Sequence, residues 1–494
     1  MKSFIKIGLA ALAFTFTGCL DKYPDNAILD GEAIETVSDA NQAVIGIYSA
    51  YKSSALYSGY LTLLPDIQAD LVYAVEGFSN TYGDTWRWEI LANNREIEAV
   101  YASLYSIIGR CNYFFENVEK MEPTLTDDEQ IDELQDLKGE VYFARALAYS
   151  ELIKCFCKAY EPATADEDLG VVLISSYYHP ERMIRSSIKK SYEFVLSDLK
   201  NALELVTLED TNNSPYITKS TVKALMARVY LYMQDWENAR DFATEVIEDK
   251  YLALSSASEK YTADQSYYQY MWNYDAGFEI IWKIGFTPTS YGGALGRVFL
   301  NYDYISYKPD YVPGNWALGL YDTKDLRAQS FFAQKTTGYA HGLTCPLLIK
   351  YNGNADFLKQ NILHVNMPKV FRLSEQYLIR AEANCRLEEY GLAADDITDL
   401  RAARYSTYGR ASINKDNWLD AISEERVREL FMEGFRLHDL KRWHKGFERK
   451  AQLHTVEAGN TLKVEADNPL FVWPIPQHEL DAPGSEIQPN ESNK

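Results

Sequence analysis

The stretch 380–404 limits the possible folds more than any other part of the chain. Ala381, Asn384, Tyr390, Ala393, Ile397 and Leu400 fall at helical spacing, with a break near 389–391. The small side chains let two antiparallel helices approach closely, and Tyr390 fills the corner. The same spacing recurs in Ala227, Tyr230, Trp236, Ala239, Ala243 and Val246, broken near 234–235. A looser copy starts with Ala146 and Tyr149 and resumes, after an insertion, with Tyr192, Val195, Leu199 and Ala202. One such hairpin cannot bury its own apolar face, so hairpins stack. The expected fold class is mainly α: a tetratricopeptide-type helical repeat scaffold with a large irregular, loop-rich insertion.

The N-terminus sets the compartment. Lys2 and Lys6 precede an apolar run at 7–16 that is too short to span a bilayer. It ends in Phe16-Thr17-Gly18-Cys19, so residues 1–18 read as an export signal with Cys19 as the expected lipidation site, Phe16 standing where Leu is usual. The chain carries 71 acidic against 49 basic residues, a net charge of −22. That balance argues against nucleic acid and against basic-patch docking on anionic lipid. No other apolar run is long enough to cross a membrane, so attachment is expected through a lipid anchor only. The other cysteines (Cys111, Cys155, Cys157, Cys345 and Cys385) lack disulfide or zinc spacing and read mostly as small core residues.

Along the chain, residues 19–39 form a tether and 40–250 carry the N-terminal helical repeats. Ser38 or Asp39 is the expected cap of a first helix through Lys52. Further helices are expected over 94–120, 129–160, 187–206 and 218–248, the last a hairpin. An aromatic loop at 56–92 interrupts them, without helical period, and Trp86 and Trp88 alternate about Arg87 as in an extended segment. Residues 251–368 crowd Gly, Pro, Asn and aromatics together with no surviving 3.6 period, as expected for a ligand-binding insertion. Residues 369–445 hold the last repeat and one charged helix over about 416–443. Residues 446–494 form an extended closing segment around Trp473-Pro474-Ile475-Pro476.

The run Glu425-Arg426-x-Arg428-Glu429-Leu430-x-x-Glu433-Gly434-x-Arg436-x-x-Asp439-Leu440-x-Arg442-Trp443 closely resembles the C-terminal signature of the SusD/RagB family. Cys19 with Asp21 and Tyr23-Pro24, Arg380-Ala381-Glu382-Ala383, and Pro474-Ile475-Pro476 with Glu479 add to the resemblance. Gln488-Pro489-Asn490 departs from the more usual Gln-Asn-Pro ending. The resemblance implies an outer-membrane, surface-exposed, lipid-anchored binder rather than an enzyme. Four tetratricopeptide-type units would support a variable ligand site. An oligosaccharide would pass to a partner TonB-dependent transporter barrel of the SusC type. Peptide capture is the alternative within the same scaffold, and a protein-interaction scaffold is a third reading. The signature residues are expected to be structural.

Sugar rings present C–H patches to aromatic faces and hydroxyls to amide and charged side chains. The candidate glycan-binding residues are therefore Asn80, Tyr82, Trp86 and Trp88 from the first loop, and Trp272, Tyr274, Tyr291 and Trp316 from the insertion. Trp236 and Trp443 read as core. Gly-x-Ser-x-Gly, His-Glu-x-x-His, a phosphate-binding glycine loop and a calcium-loop pattern are all missing from the sequence. No catalytic residue, cofactor or metal ligand is expected, and His438 and His444 read as surface residues.

Overall fold

The computed structural model describes residues 34–178, 182–339 and 342–494; Cys19 and most of the tether lie outside them. The longer helices are α1 (Val37–Ala50), α2 (Tyr60–Gln68), α3 (Arg95–Met121), α4 (Asp128–Phe156), α5 (Ile188–Leu205), α6 (Lys219–Tyr232), α7 (Trp236–Ile247), α8 (Tyr267–Tyr274), α9 (Leu373–Arg386), α10 (Tyr390–Arg404), α11 (Trp418–Leu430) and α12 (Arg436–Arg442). Strands are short and pair in twos, so the fold is mainly helical.

Consecutive helices stack as the repeats require: α3 on α4, α4 on α5, α6 on α7 and α9 on α10. The small residues sit at the contacts. Ala227, Ala239, Ala243, Ala381 and Ala393 are fully buried, as are Ala146, Tyr149, Val195, Leu199 and Ala202 of the loose copy. Across the α6–α7 hairpin, Tyr230 and Phe242 stack at 5.6 Å and 9°. Trp236 packs at its corner beneath the Arg386 guanidinium, 4.9 Å from the ring. Helix α7 lies directly against α9 although all of 251–368 separates them in sequence. The insertion thus leaves the stack and returns without interrupting it.

Several expectations need correction. The first helix is capped by Thr36, whose hydroxyl and Asp39 carboxylate form a reciprocal capping box. Within 56–92, residues Tyr60–Gln68 are helical and almost wholly buried; a helix covered on every side shows no amphipathic period. Residues 83–86 also form one helical turn, so Trp86 and Trp88 do not alternate along an extended segment.

The charged helix is two helices, α11 and α12, broken at Met432 and Gly434, with φ of 58° and 84°. A Cβ on Gly434 would lie 2.4 Å from the Leu61 carbonyl oxygen. The break lets α2 approach, and Asp66 on α2 accepts the Gly434 and Arg436 backbone N–H at 3.0 and 2.8 Å. His438 is buried on α12, and burial with Lys154 and Lys441 pushes its pKa well down. His444 is half-exposed between Glu161 (2.9 Å) and Asp467 (2.6 Å).

The signature carboxylates reach beyond their own helix. Arg327, inside the insertion, pairs with Asp325 (2.7 Å), Glu425 (2.8 Å) and Glu429 (3.1 Å), every partner fully buried. Arg404 joins Glu279 (2.8 Å) and Glu429 (2.9 Å). Arg372 joins Glu279, Glu429 and Glu433 at 2.6–2.9 Å. Burial alone would raise the Glu429 pKa, but Arg404 and Arg372 outweigh it and hold the carboxylate well below its usual range. This lattice ties the insertion to the repeats. The closing segment is anchored at Trp473 and Asn490: Trp473 donates to Gln68 Oε1 at 2.8 Å, and Asn490 donates to the Phe156 and Trp473 carbonyls.

Candidate functional site: a tyrosine-lined face

Strand pairing brings the first loop and the insertion together. Strand β1 (Val72–Ala74) runs antiparallel to β2 (Tyr311–Pro313), and 75–81 continue beside 310–311. Asp310 accepts the Ser79 N–H at 2.7 Å and the Ser79 hydroxyl at 3.1 Å. The Tyr311 hydroxyl donates to the Thr81 carbonyl at 2.6 Å.

On this face Tyr60 and Tyr82 meet edge to face at 5.8 Å. From the insertion, Tyr302 and Tyr307 stack at 4.5 Å and 24°, and Tyr304 lies 6.0 Å from Tyr302. Tyr304 is 58 % exposed and Ile305 beside it 90 %. Lys335 sits 5.5 Å from the Tyr307 ring. The exposed Arg297 lies within electrostatic reach of both the Tyr82 hydroxyl and the His364 ring.

Amides and fixed loops surround the rings. Asn80 is exposed, and its side-chain oxygen accepts from Arg87 Nη1 at 2.8 Å, which leaves its NH2 to donate outward. Gly83 makes that contact possible, since a Cβ there would lie 2.0 Å from Asn80 Oδ1. The Tyr304 hydroxyl lies 3.4 Å from Asn361 Oδ1. His364 accepts the Tyr302 N–H at 3.1 Å, and burial lowers its pKa, which favours the neutral ring that can accept. Asp303 anchors the turn: the Ser306 N–H, the Lys308 ammonium and the Ile305 N–H hold its carboxyl down to about 2.

Asn80, Tyr82, Asn301, Tyr304, Asn361 and His364 all have positive φ, from 38° to 68°. Bulky residues rarely occupy that region, and such strain gathers at ligand-binding loops.

The tryptophans lie elsewhere. Trp86 is fully buried under Arg449 and donates to the Val72 carbonyl at 3.3 Å. Trp88 is 9 % exposed, donates to the Gln68 carbonyl at 2.5 Å, and packs on Phe447 and Phe471. Trp272 is 3 % exposed, with Lys350, Lys369 and Arg372 within 4.2–5.1 Å of its ring. These three side chains offer no open ring and leave the candidate surface. Their size is the reason, because a large ring in a chain this long is best used against the core.

Trp316 is half-buried, with its N–H on the Asp70 carbonyl and Arg436 5.3 Å from the ring. Tyr82 and Tyr274 are half-buried, and Tyr291 is 45 % exposed beside Phe357. Reasoning from sequence passed over Tyr60, Tyr302, Tyr304 and Tyr307. The signal was present in Tyr302-Asp303-Tyr304-Ile305-Ser306-Tyr307, where rings alternate with polar side chains between Asn301 and Pro309.

Residues 19–231 match a SusD-like family described as starch-binding and associating with the outer membrane, and residues 301–490 match the SusD family. A SusD-like protein of Formosa agariphila is 22 % identical over 87 % of this chain and 88 % of its own length. A SusD superfamily structure from Bacteroides thetaiotaomicron superposes with a TM-score of 0.80 at 26 % identity, covering 92 % of this chain and 99 % of that one. Surface glycan-binding protein A from Bacteroides fluxus superposes with a TM-score of 0.69 at 18 % identity, covering 93 % and 100 %. Among the described residues no helix is long and apolar enough to cross a membrane. With stacked hairpins, the buried signature lattice and family matches across most of the sequence, the chain belongs to the SusD family.

Proposed function

We propose that the protein binds oligosaccharide at the cell surface on the face formed by Asn80, Tyr82, Tyr302 and Tyr304, and passes it to a TonB-dependent transporter barrel. The observation that carries this reading is the pairing of an exposed tyrosine ring, Tyr304, with outward amides on loops held in strained backbone. Rings supply C–H stacking, while Asn80 and Asn361 supply neutral hydrogen bonds. The printed name of the Bacteroides fluxus relative, a surface glycan-binding protein, supports the class of ligand. Anchoring through Cys19 and exposure on the outer membrane complete the proposal.

Affinity electrophoresis through gels of starch, β-glucan, xylan, galactomannan and inulin tests the binding step. Retardation by one polysaccharide that disappears in Tyr304→Ala and weakens in Asn80→Ala is the expected result. No retardation by any of the five, with capture from a defined peptide mixture, would move the protein to peptide uptake. Co-purification with a transporter barrel but with neither ligand class would favour a scaffold. Replacing Cys19 by Ala should release the protein from the membrane fraction.

A further inference from the structure

A second set of rings lies on the outer side of α8. Tyr270 and Tyr274 stack at 4.7 Å and 22°. Tyr261, from the loop before the helix, lies 3.9 Å from Tyr270 and 5.5 Å from Tyr267. The spacing 267, 270, 274 puts the helical members on one side. The inner side is already filled by Tyr268, Met271 and Trp272, which are buried. Tyr261 is 47 % exposed, and Tyr267, Tyr270 and Tyr274 are half-buried.

The chemistry around these rings is polar, with Glu259, Lys260 and Asp264 exposed on the loop that carries Tyr261. Gln269 and Asn273 are carried on the same helix, and the nearby Lys359 and Asp356 satisfy each other at 2.8 Å. A ladder of hydroxyl-tipped rings offers apolar faces to the C–H patches of a polyhydroxylated ligand and hydroxyls to its polar edge.

The ladder is also continuous with the tyrosine-lined face. Segment 354–361 runs between them: its helical turn at 355–358 packs against α8, and Asn361 meets the Tyr304 hydroxyl. The five residues from 356 to 361 span on the order of 10 Å, between a helical and an extended path. A ligand of several sugar units reaches across that span, and a very short one does not.

We propose that Tyr261, Tyr267, Tyr270 and Tyr274 form a second subsite for the same glycan chain, so that the protein selects long chains over short ones. The proposal rests on the glycan-binding reading of the Tyr302–Tyr304 face. Two weak subsites on one chain act through effective concentration, and the second contact raises affinity without a new strong site.

The test uses the full-length protein and the trisaccharide and decasaccharide of whichever polysaccharide in the five gels retards it. Isothermal titration should show the decasaccharide binding at least about tenfold more tightly. The double variant Tyr261→Ala/Tyr274→Ala should bring the decasaccharide close to the trisaccharide, leaving trisaccharide affinity and the thermal melt unchanged. Equal affinity for both lengths in the wild type, or an unaltered decasaccharide affinity in the double variant, would overturn the subsite while leaving glycan capture standing. A parallel loss of trisaccharide binding would overturn it as well, by merging the ladder with the first site. Absence of any glycan binding, or binding that survives Tyr304→Ala, would remove the reading beneath it.

Discussion

At the scale of single residues, the contrast between Tyr304 and Trp88 separates binding from folding. Tyr304→Ala removes an exposed ring and should weaken glycan affinity by about 1–2 kcal/mol, roughly tenfold, with the denaturation midpoint unmoved. Trp88→Ala empties a packed site and should lower unfolding free energy by about 3–5 kcal/mol, while the molecules that remain folded bind as before. Titration calorimetry and urea denaturation on both variants give the four numbers; a Trp88 variant that folds normally yet fails to bind would reverse the assignment.

The same contrast explains what sequence could convey about the site. It pointed to the two segments that supply the proposed face, the first loop and the insertion, and to Asn80 and Tyr82 within them. It could not separate Trp86, Trp88 and Trp272 from the surface, because each tryptophan is covered by residues remote in sequence, such as Arg449, Phe471 and Lys350.

Among the elements, the junction of α2 with the α11–α12 break shows how backbone geometry and charge are coupled. Gly434→Ala puts a Cβ against the Leu61 carbonyl at a positive φ, and should cost about 2 kcal/mol or more in a thermal or urea melt. Asp66 beside it is fully buried, and burial pushes its carboxyl up to about 7 despite the two backbone N–H groups it accepts. Its folded pKa lies above the unfolded value, so the folded state holds the extra proton between roughly pH 4 and 7. Stability from this group is complete at the acid side of that window and is lost as pH rises through about 7. Asp66→Asn should therefore destabilise most near pH 4, and between pH 5 and pH 7.5 the deficit should shrink by roughly 2–3 kcal/mol. A deficit independent of pH in urea titrations would show that Asp66 stays ionised throughout. Helix α2 itself was illegible in sequence, as was the break: burial on every side erased one period, and the α11–α12 stripe continued in register across the other. The paired hairpins were legible because their second helices, α7 and α10, keep one face in solvent, although α6 and α9 are almost as buried as α2.

Taken whole, the molecule is held as one unit by the lattice around Glu429. Glu429→Gln leaves Arg404, Arg372 and Arg327 short of a shared buried partner and should reduce unfolding free energy by about 3–5 kcal/mol. In the wild type, tryptophan fluorescence and far-ultraviolet circular dichroism should report a single coincident transition. An earlier fluorescence change would mean that the insertion unfolds on its own. The charge pattern of 425–442 was readable as pairing along one helix, and Glu425–Arg428 does pair in that way at 2.9 Å. Its longer-range partners were not readable, because Arg327, Arg372 and Arg404 meet those carboxylates only once the insertion has folded back onto α9 and α10.

Arg327 has a consequence for descent as well as for folding. Its guanidinium fixes the root of the insertion, whereas Tyr304, Ile305 and Tyr261 stand exposed at the tips. If those positions bind ligand as proposed, point changes there would exchange one ligand for another while the architecture survives, but a one-residue deletion that shifts Arg327 out of register would take a shared cation from Asp325, Glu425 and Glu429. Novelty in a lineage of such proteins should accumulate at the fingertips and leave the wrist unchanged.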